Sequence, residues 1–174
     1  MNLVLLATIV FAPMLFEAAL SRRNERQLRA LGAAEPHDDV YWIMQVAYPA
    51  AFVAMFVEGW ERRHIVDVHV AEGFALFVGA KLLKYWAIFS LGIRWTFRVL
   101  VPPGSTRLLV GPYRLLRHPN YVAVLAEIAG AALIAHAPVT GALAFAAFAL
   151  LIFLRIRVEE RALTTGSRPP ESNQ

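Results

Sequence analysis

The stretch Tyr121–Leu154, YVAVLAEIAGAALIAHAPVTGALAFAAFALLIFL, decides the fold. It carries a single formally charged side chain, Glu127, and it is interrupted once, at His136-Ala137-Pro138. Two apolar segments, Tyr121–Ala135 and Val139–Leu154, joined by so short a link form a tight hairpin of antiparallel helices. Each is short for a membrane span, which takes roughly 20 apolar residues. Partial embedding, tilt or extension by flanking turns accounts for the difference.

Three further apolar stretches lie upstream, Leu3–Leu20, Val40–Val57 and Val70–Leu91. The apolar residues fall in blocks, at 58% of 174 residues against 17% charged, too apolar for an ordinary soluble domain. The predicted class is therefore all-α: a polytopic integral membrane protein of about five transmembrane helices. The first stretch lacks a basic leader and runs into Ser21-Arg22-Arg23-Asn24-Glu25-Arg26 with no small-residue cleavage site, so it is expected to be a retained helix. Absence of Cys excludes disulfides, thiolate zinc sites and catalytic thiols.

Arginine placement predicts orientation. Arg22, Arg23, Arg26 and Arg29 follow the first stretch. Arg94, Arg98, Arg107, Arg114 and Arg117 follow the third, and Arg155, Arg157 and Arg161 follow the fifth. With five spans all three groups share one side, and the positive-inside rule makes it the cytosol, leaving the N-terminus outside. The excess of 17 Lys+Arg over 13 Asp+Glu is thus a matter of bilayer orientation, and no nucleic-acid partner is expected. The tail after Thr164 reads as disordered.

Chemistry concentrates between Gly104 and Glu127. Gly111-Pro112 marks a turn. Pro119 stands at the first position of the fourth helix, where a missing N–H costs nothing, and His118 falls at its N-cap. Such a helix start could receive an anionic group such as a cofactor carboxylate. Arg117 and His118 could equally anchor the helix at headgroup level, and local physics leaves both readings open. Further along, Arg155 and Glu159 lie four apart on one face of the fifth helix, a spacing that also occurs as plain solvated decoration. Ionisable side chains inside apolar spans tend to be functional, which singles out Glu127. Glu17, Lys81 and Lys84 are expected to snorkel to an interface. The chain has no G-x-G-x-x-G, P-loop or G-x-S-x-G motif, which excludes a soluble Rossmann-type methyltransferase. Its scattered His residues do not make a zinc site.

The run V-G-P-Y-x-x-x-R-H-P-N-Y, then the hairpin, then R-x-R-x-E-E-x-x-L, resembles the isoprenylcysteine carboxyl methyltransferase family over about Ser105–Leu163. The N-terminal half resembles a bacterial branch through Ser21-Arg22-Arg23-Asn24-Glu25-x-x-Leu28, Lys84-Tyr85-Trp86 and Leu91-Gly92-x-x-Trp95. That branch is associated with type III polyketide synthases and methylates alkylpyrone or alkylresorcinol hydroxyls. The resemblance implies S-adenosyl-L-methionine as cofactor, in contact with Ser105, Thr106, Arg107, Leu108, Tyr113, His118, Pro119, Asn120, Tyr121 and Glu159. Relatives often have His where this chain has Ser105. Arg155 matches the arginine that faces the substrate carboxylate, and Glu127 is the other catalytic candidate. Residues 1–91 would wall the acceptor side, and residues 92–164 would form the catalytic region.

The implied activity is O-methylation, at a carboxylate or a hydroxyl, of a lipophilic acceptor in a bacterial cytoplasmic membrane. Related membrane families, phospholipid N-methyltransferases and sterol reductases among them, carry variants of the C-terminal motif. An NADPH-dependent reductase and a non-catalytic membrane protein of the same fold are the competing readings. Oligomeric state is not legible, although Gly130, Ala131, Ala132 and Gly141 permit close helix packing.

Overall fold

The computed structural model describes residues 3–36, 39–62, 68–104 and 108–166. Among them are five α-helices: α1 (Leu3–Ala30), α2 (Tyr41–Arg62), α3 (Val68–Leu91), α4 (Pro119–Ala135) and α5 (Pro138–Gly166). Two short 3-10 helices stand at Gly92–Arg94 and Gly111–Arg114. The described residues contain no strand, only an isolated bridge between Ala34 and Val101.

The protein is an all-helical membrane protein. Tyr41–Arg62, His69–Arg94 and Pro138–Ala162 are each long and apolar enough to cross a bilayer. At 17 residues α4 sits at the lower limit of a span. α1 is 28 residues long, largely apolar as far as Leu20 and charged from Arg22 onward within the same helix. The apolar stretch read from the sequence ends at Leu20. The helix continues to Ala30, since no Gly or Pro intervenes before Gly32 and the Ser21 hydroxyl bonds to the Glu25 carboxylate one turn on at 2.7 Å. At the other end of the chain, α5 runs on past Leu154 to Gly166.

The chain divides into two compact units. One consists of Trp42–Leu91 and Leu108–Ile156, and holds most of α2, α3, α4 and the longer part of α5. Its helices alternate in direction. α3 and α4 meet nearly backbone to backbone: a Cβ on Gly73 would fall 2.8 Å from the Gly130 carbonyl oxygen, and one on Gly130 would fall 2.8 Å from the Phe77 nitrogen. Small residues thus set this approach, as is usual where lipid supplies no hydrophobic drive for helices to associate. At the hairpin, a Cβ on Gly141 would come within 2.3 Å of Ala132 Cβ, so Gly141 and Ala132 interlock α5 with α4. Phe52, Met55, Phe77, Ile88, Ile128, Phe148 and Ile152 fill the interior.

The hairpin itself is closed by His136 in the left-handed conformation at φ 53°, its N–H directed to the Ala132 and Leu133 carbonyls. Glu58 of α2 then caps α5. Its carboxylate accepts from the Thr140 N–H at 2.8 Å, the Thr140 hydroxyl at 2.7 Å and the Val139 N–H at 3.3 Å. A carboxylate there satisfies amides that the helix cannot and complements its dipole.

The second unit is built on α1, residues 92–104 and the end of α5 from Arg157. In it Asn24 of α1 donates to the carbonyls of Gly92 at 3.1 Å and Trp95 at 2.8 Å, and the Phe97 N–H donates to the Ser21 hydroxyl at 2.7 Å. The Val99 N–H bonds to Asp39 at 3.1 Å, and Ala34 and Val101 exchange two backbone bonds of 3.0 Å. Nearly every other residue from Gly92 to Val101 is therefore tied to α1 or to the segment that follows it.

Candidate functional site

The approach to α4 begins at the 3-10 turn Gly111–Arg114, which presents a half-buried Tyr113. Gly111 has φ +52°, and a Cβ there would fall 2.0 Å from Ser90 Oγ and 3.1 Å from Trp86 Nε1. The turn is thus pressed onto the last turns of α3, and only glycine satisfies both the dihedral and the space. Leu108, half-buried, precedes it. Ser105, Thr106 and Arg107 lie outside the described residues.

His118 occupies the N-cap of α4 at φ −136°, ψ 66°, and makes no side-chain capping bond. Pro119 follows at N1, buried, as the sequence predicts. The His118 ring instead stacks on Tyr121, with centroids 5.6 Å apart and planes 25° from parallel. The Tyr121 hydroxyl accepts a hydrogen bond of 2.9 Å from Nε of Arg155. Arg155 is only 6% exposed, on the same face of α5 as Ala144, Phe148, Ile152 and Val158. His118, Tyr121 and Arg155 thus form one connected array across the open end of the hairpin, with Asn120 half-buried beside it. Glu159 lies one turn beyond Arg155 on α5 and is half-buried.

Deeper in the same unit sits a second polar cluster. Glu127 is fully enclosed at 0% exposure. Lys84 Nζ lies 3.2 Å from both its carboxylate oxygens, Lys81 Nζ lies 3.1 Å from one, and the Tyr48 hydroxyl donates to it. Lys84 also stands over the Tyr48 ring, 5.3 Å from its centroid, and Lys81 stands 5.7 Å from that of Phe77. The expectation that Lys81 and Lys84 snorkel to an interface is therefore corrected: both are buried, because a carboxylate on the neighbouring helix neutralises them more effectively than a distant headgroup could. Glu17 is likewise buried, at 1% exposure. Glu127 follows Tyr121 by six residues, about 9 Å along the axis of α4. Its side chain faces α2 and α3.

Sequence reasoning missed the purpose of the Ser21-Arg22-Arg23-Asn24-Glu25 hallmark. Ser21 and Asn24 hold the segment after α3, while Arg22 and Arg23 are exposed. Gly92, with φ +56°, permits the turn that presents its carbonyl to Asn24. Trp95 is 3% exposed and packs edge-on to Phe97. Arg98 joins Glu35 and Glu25, lies over the Tyr41 ring, and shares Glu35 with Arg29. Burial pushes the Glu35 carboxyl up, but hydrogen bonds and charge from Arg98 and Arg29 outweigh it and leave the group below the usual carboxylate range.

Residues 73–165 match the family model of the isoprenylcysteine carboxyl methyltransferase (ICMT) family. The chain belongs to this family. The matched span begins in α3, takes in Lys81, Lys84, His118, Tyr121, Glu127 and Arg155, and ends in α5. The chain is 31% identical to the uncharacterized protein YpbQ of Bacillus subtilis (strain 168), over 91% of this chain and 95% of that one. It is 24% identical to an uncharacterized protein of Haemophilus influenzae, over 92% of this chain and 96% of the relative. No solved structure matches it. Membership of the ICMT family makes this protein a membrane methyltransferase in its general class.

Proposed function

We propose that the protein transfers the methyl group of S-adenosyl-L-methionine to an ionised oxygen of a lipophilic acceptor, an alkylpyrone or alkylresorcinol in preference to a prenylcysteine-like carboxylate. The observation that carries this reading is the buried Arg155 held by Tyr121 at the start of α4, inside the family-matched span. A guanidinium kept from water can grip an oxyanion in two parallel hydrogen bonds.

The residues present fit the cofactor. The N-terminus of α4 has no side-chain cap, so its dipole and amides suit a carboxylate, and the Tyr121 and His118 rings offer flat faces nearby. Bound S-adenosyl-L-methionine supplies an electrophilic methyl and departs as a neutral thioether. The chain's task is then to bind and align. Arg155 holds the acceptor oxygen as an anion, Tyr121 fixes the guanidinium plane, and His118 braces Tyr121. In-line placement accounts for most of the rate in such a transfer. A carboxylate or hydroxypyrone enol is already ionised near neutrality and requires no strong base, whereas the phenol of an alkylresorcinol must first give up its proton to one. We assign Glu127, enclosed by Tyr48, Lys81 and Lys84, to positioning α4. By this reading the N-terminus lies outside a bacterial cytoplasmic membrane, and Arg155 lies on the cytosolic side with Glu159.

Binding of labelled S-adenosyl-L-methionine to the detergent-solubilised protein, followed by methyl transfer to a synthetic alkylpyrone, tests the proposal. Absence of cofactor binding by the folded protein would end it. Binding with transfer only to a prenylcysteine would overturn the choice of acceptor and keep the chemistry.

A further inference from the structure

The far end of the hairpin carries a cleft of about 750 Å³ that methyl transfer does not use. Its walls are one face of each hairpin helix. Ala129, Ala132, Leu133 and His136 recur at helical spacing on α4, and Pro138, Gly141, Ala142 and Phe145 do the same on α5. Ala129, Ala132, Gly141 and Ala142 are small and make a floor, while Leu133 and Phe145 stand up as exposed sides. The channel follows the helices for about 10 Å from the turn. Among the described residues its polar lining is confined to the turn end and consists of Arg62, His69 and His136, without a carboxylate. Arg62 ends α2 and His69 stands at the start of α3, so this end belongs at the membrane–water boundary.

We propose that this cleft seats a bilayer phospholipid with an anionic headgroup. The phosphate accepts from Arg62 and His69, and one acyl chain lies along the alanine floor. This proposal is independent of the methyl-transfer reading. Charge decides the occupant: lipid tails are as apolar as Leu133 and Phe145, so a chain alone gains little by leaving the bilayer for the groove. Selectivity must come from the head, and basic pockets between membrane helices favour anionic lipid heads. Among the described residues, Glu58 and Glu72 stand nearby. Glu58 pairs with Arg62 at 3.0 Å but is also engaged with Val139 and Thr140, and the guanidinium has further donors to offer. Glu72 meets His69 at 3.4 Å where both are 60% exposed, an ion pair that water screens.

The test is lipid retention, read by native mass spectrometry after detergent extraction and exchange against mixed phosphatidylglycerol and phosphatidylcholine. The wild type should retain phosphatidylglycerol about fivefold over phosphatidylcholine, the order expected of one basic side chain at the surface. Arg62→Gln should abolish the preference by removing the head contact. Ala142→Phe should abolish it by filling the floor at an exposed position that folding tolerates. No preference in the wild type, or a preference that survives in either variant, overturns the proposal. Displacement of the lipid by inorganic phosphate would mark a free-anion site and overturn it too.

Discussion

Nε of Arg155 donates to the Tyr121 hydroxyl at 2.9 Å, which joins α5 to the first turn of α4. A residue assigned to the acceptor and one assigned to the cofactor are thus a single unit. Tyr121→Phe keeps the ring and its stack on His118 but removes the acceptor of the Arg155 Nε bond. It should lower methyl transfer about ten- to hundredfold, the worth of a charge-assisted hydrogen bond, with cofactor affinity near wild type. Arg155→Lys should do the same, and the double variant should be little worse than either single one. Additive losses in a double-mutant cycle would show that the two act separately.

Glu127 invites a different comparison. Glu127→Gln leaves Lys81 and Lys84 buried without their carboxylate, and should destabilise the bundle by about 3–5 kcal/mol. Replacing all three, as Glu127→Leu with Lys81→Met and Lys84→Met, should restore most of the thermal stability in detergent. Activity should return with the fold. A stable triple variant that binds cofactor and cannot transfer methyl would give Glu127 a chemical role.

Asn24→Ala removes the donor shared by the Gly92 and Trp95 carbonyls, and Trp95 is buried. The expected cost is about 1–3 kcal/mol, visible as a lower melting temperature and as faster proteolysis between residues 92 and 104. Arg22→Ala, on the exposed side of the same helix, should change neither.

The Glu35 carboxyl is held below its usual value of 4.5 in the folded chain, so the stability it contributes is full above that pH and is lost as pH falls through the lowered value. Amide exchange at Val99 and Val101 should therefore accelerate as pH falls below 4.5 and through the lowered value, once intrinsic rates are divided out. Glu35→Gln should show the faster exchange already at neutral pH and lose the acid step.

The sequence made the hairpin plain because His136-Ala137-Pro138 is the one break in a long apolar run, and Pro119 marked the start of α4 by its fixed φ and absent N–H. The fate of Lys81 and Lys84 was not readable. Their neighbours in sequence are apolar or aromatic, and the carboxylate that receives them is on another helix, 43 residues beyond Lys84. The length of α1 was hidden for the opposite reason: the charges of Arg22, Arg23, Glu25 and Arg26 read as a loop, whereas Ser21 and Asn24 on its other face are needed for residues 92–97. Arg155 and Tyr121 were each found by motif, but a bond spanning 34 residues shows only once the hairpin is closed.

The buried carboxylate of α4 also bears on how this chain enters a membrane. A segment of 17 residues with an acid near its middle is a poor passenger for the insertion machinery, since an ionised side chain at that depth costs about 2.5–3.5 kcal/mol. Its counter-charges are on α3, which is synthesised first and carries Lys81 and Lys84 with the same difficulty. Neither helix is a comfortable resident alone, yet together they bring opposite charges and a glycine contact that lets them meet. α3 and α4 should therefore leave the translocon as a pair, and a nascent chain with both lysines changed to Glu should strand α4 in the aqueous phase.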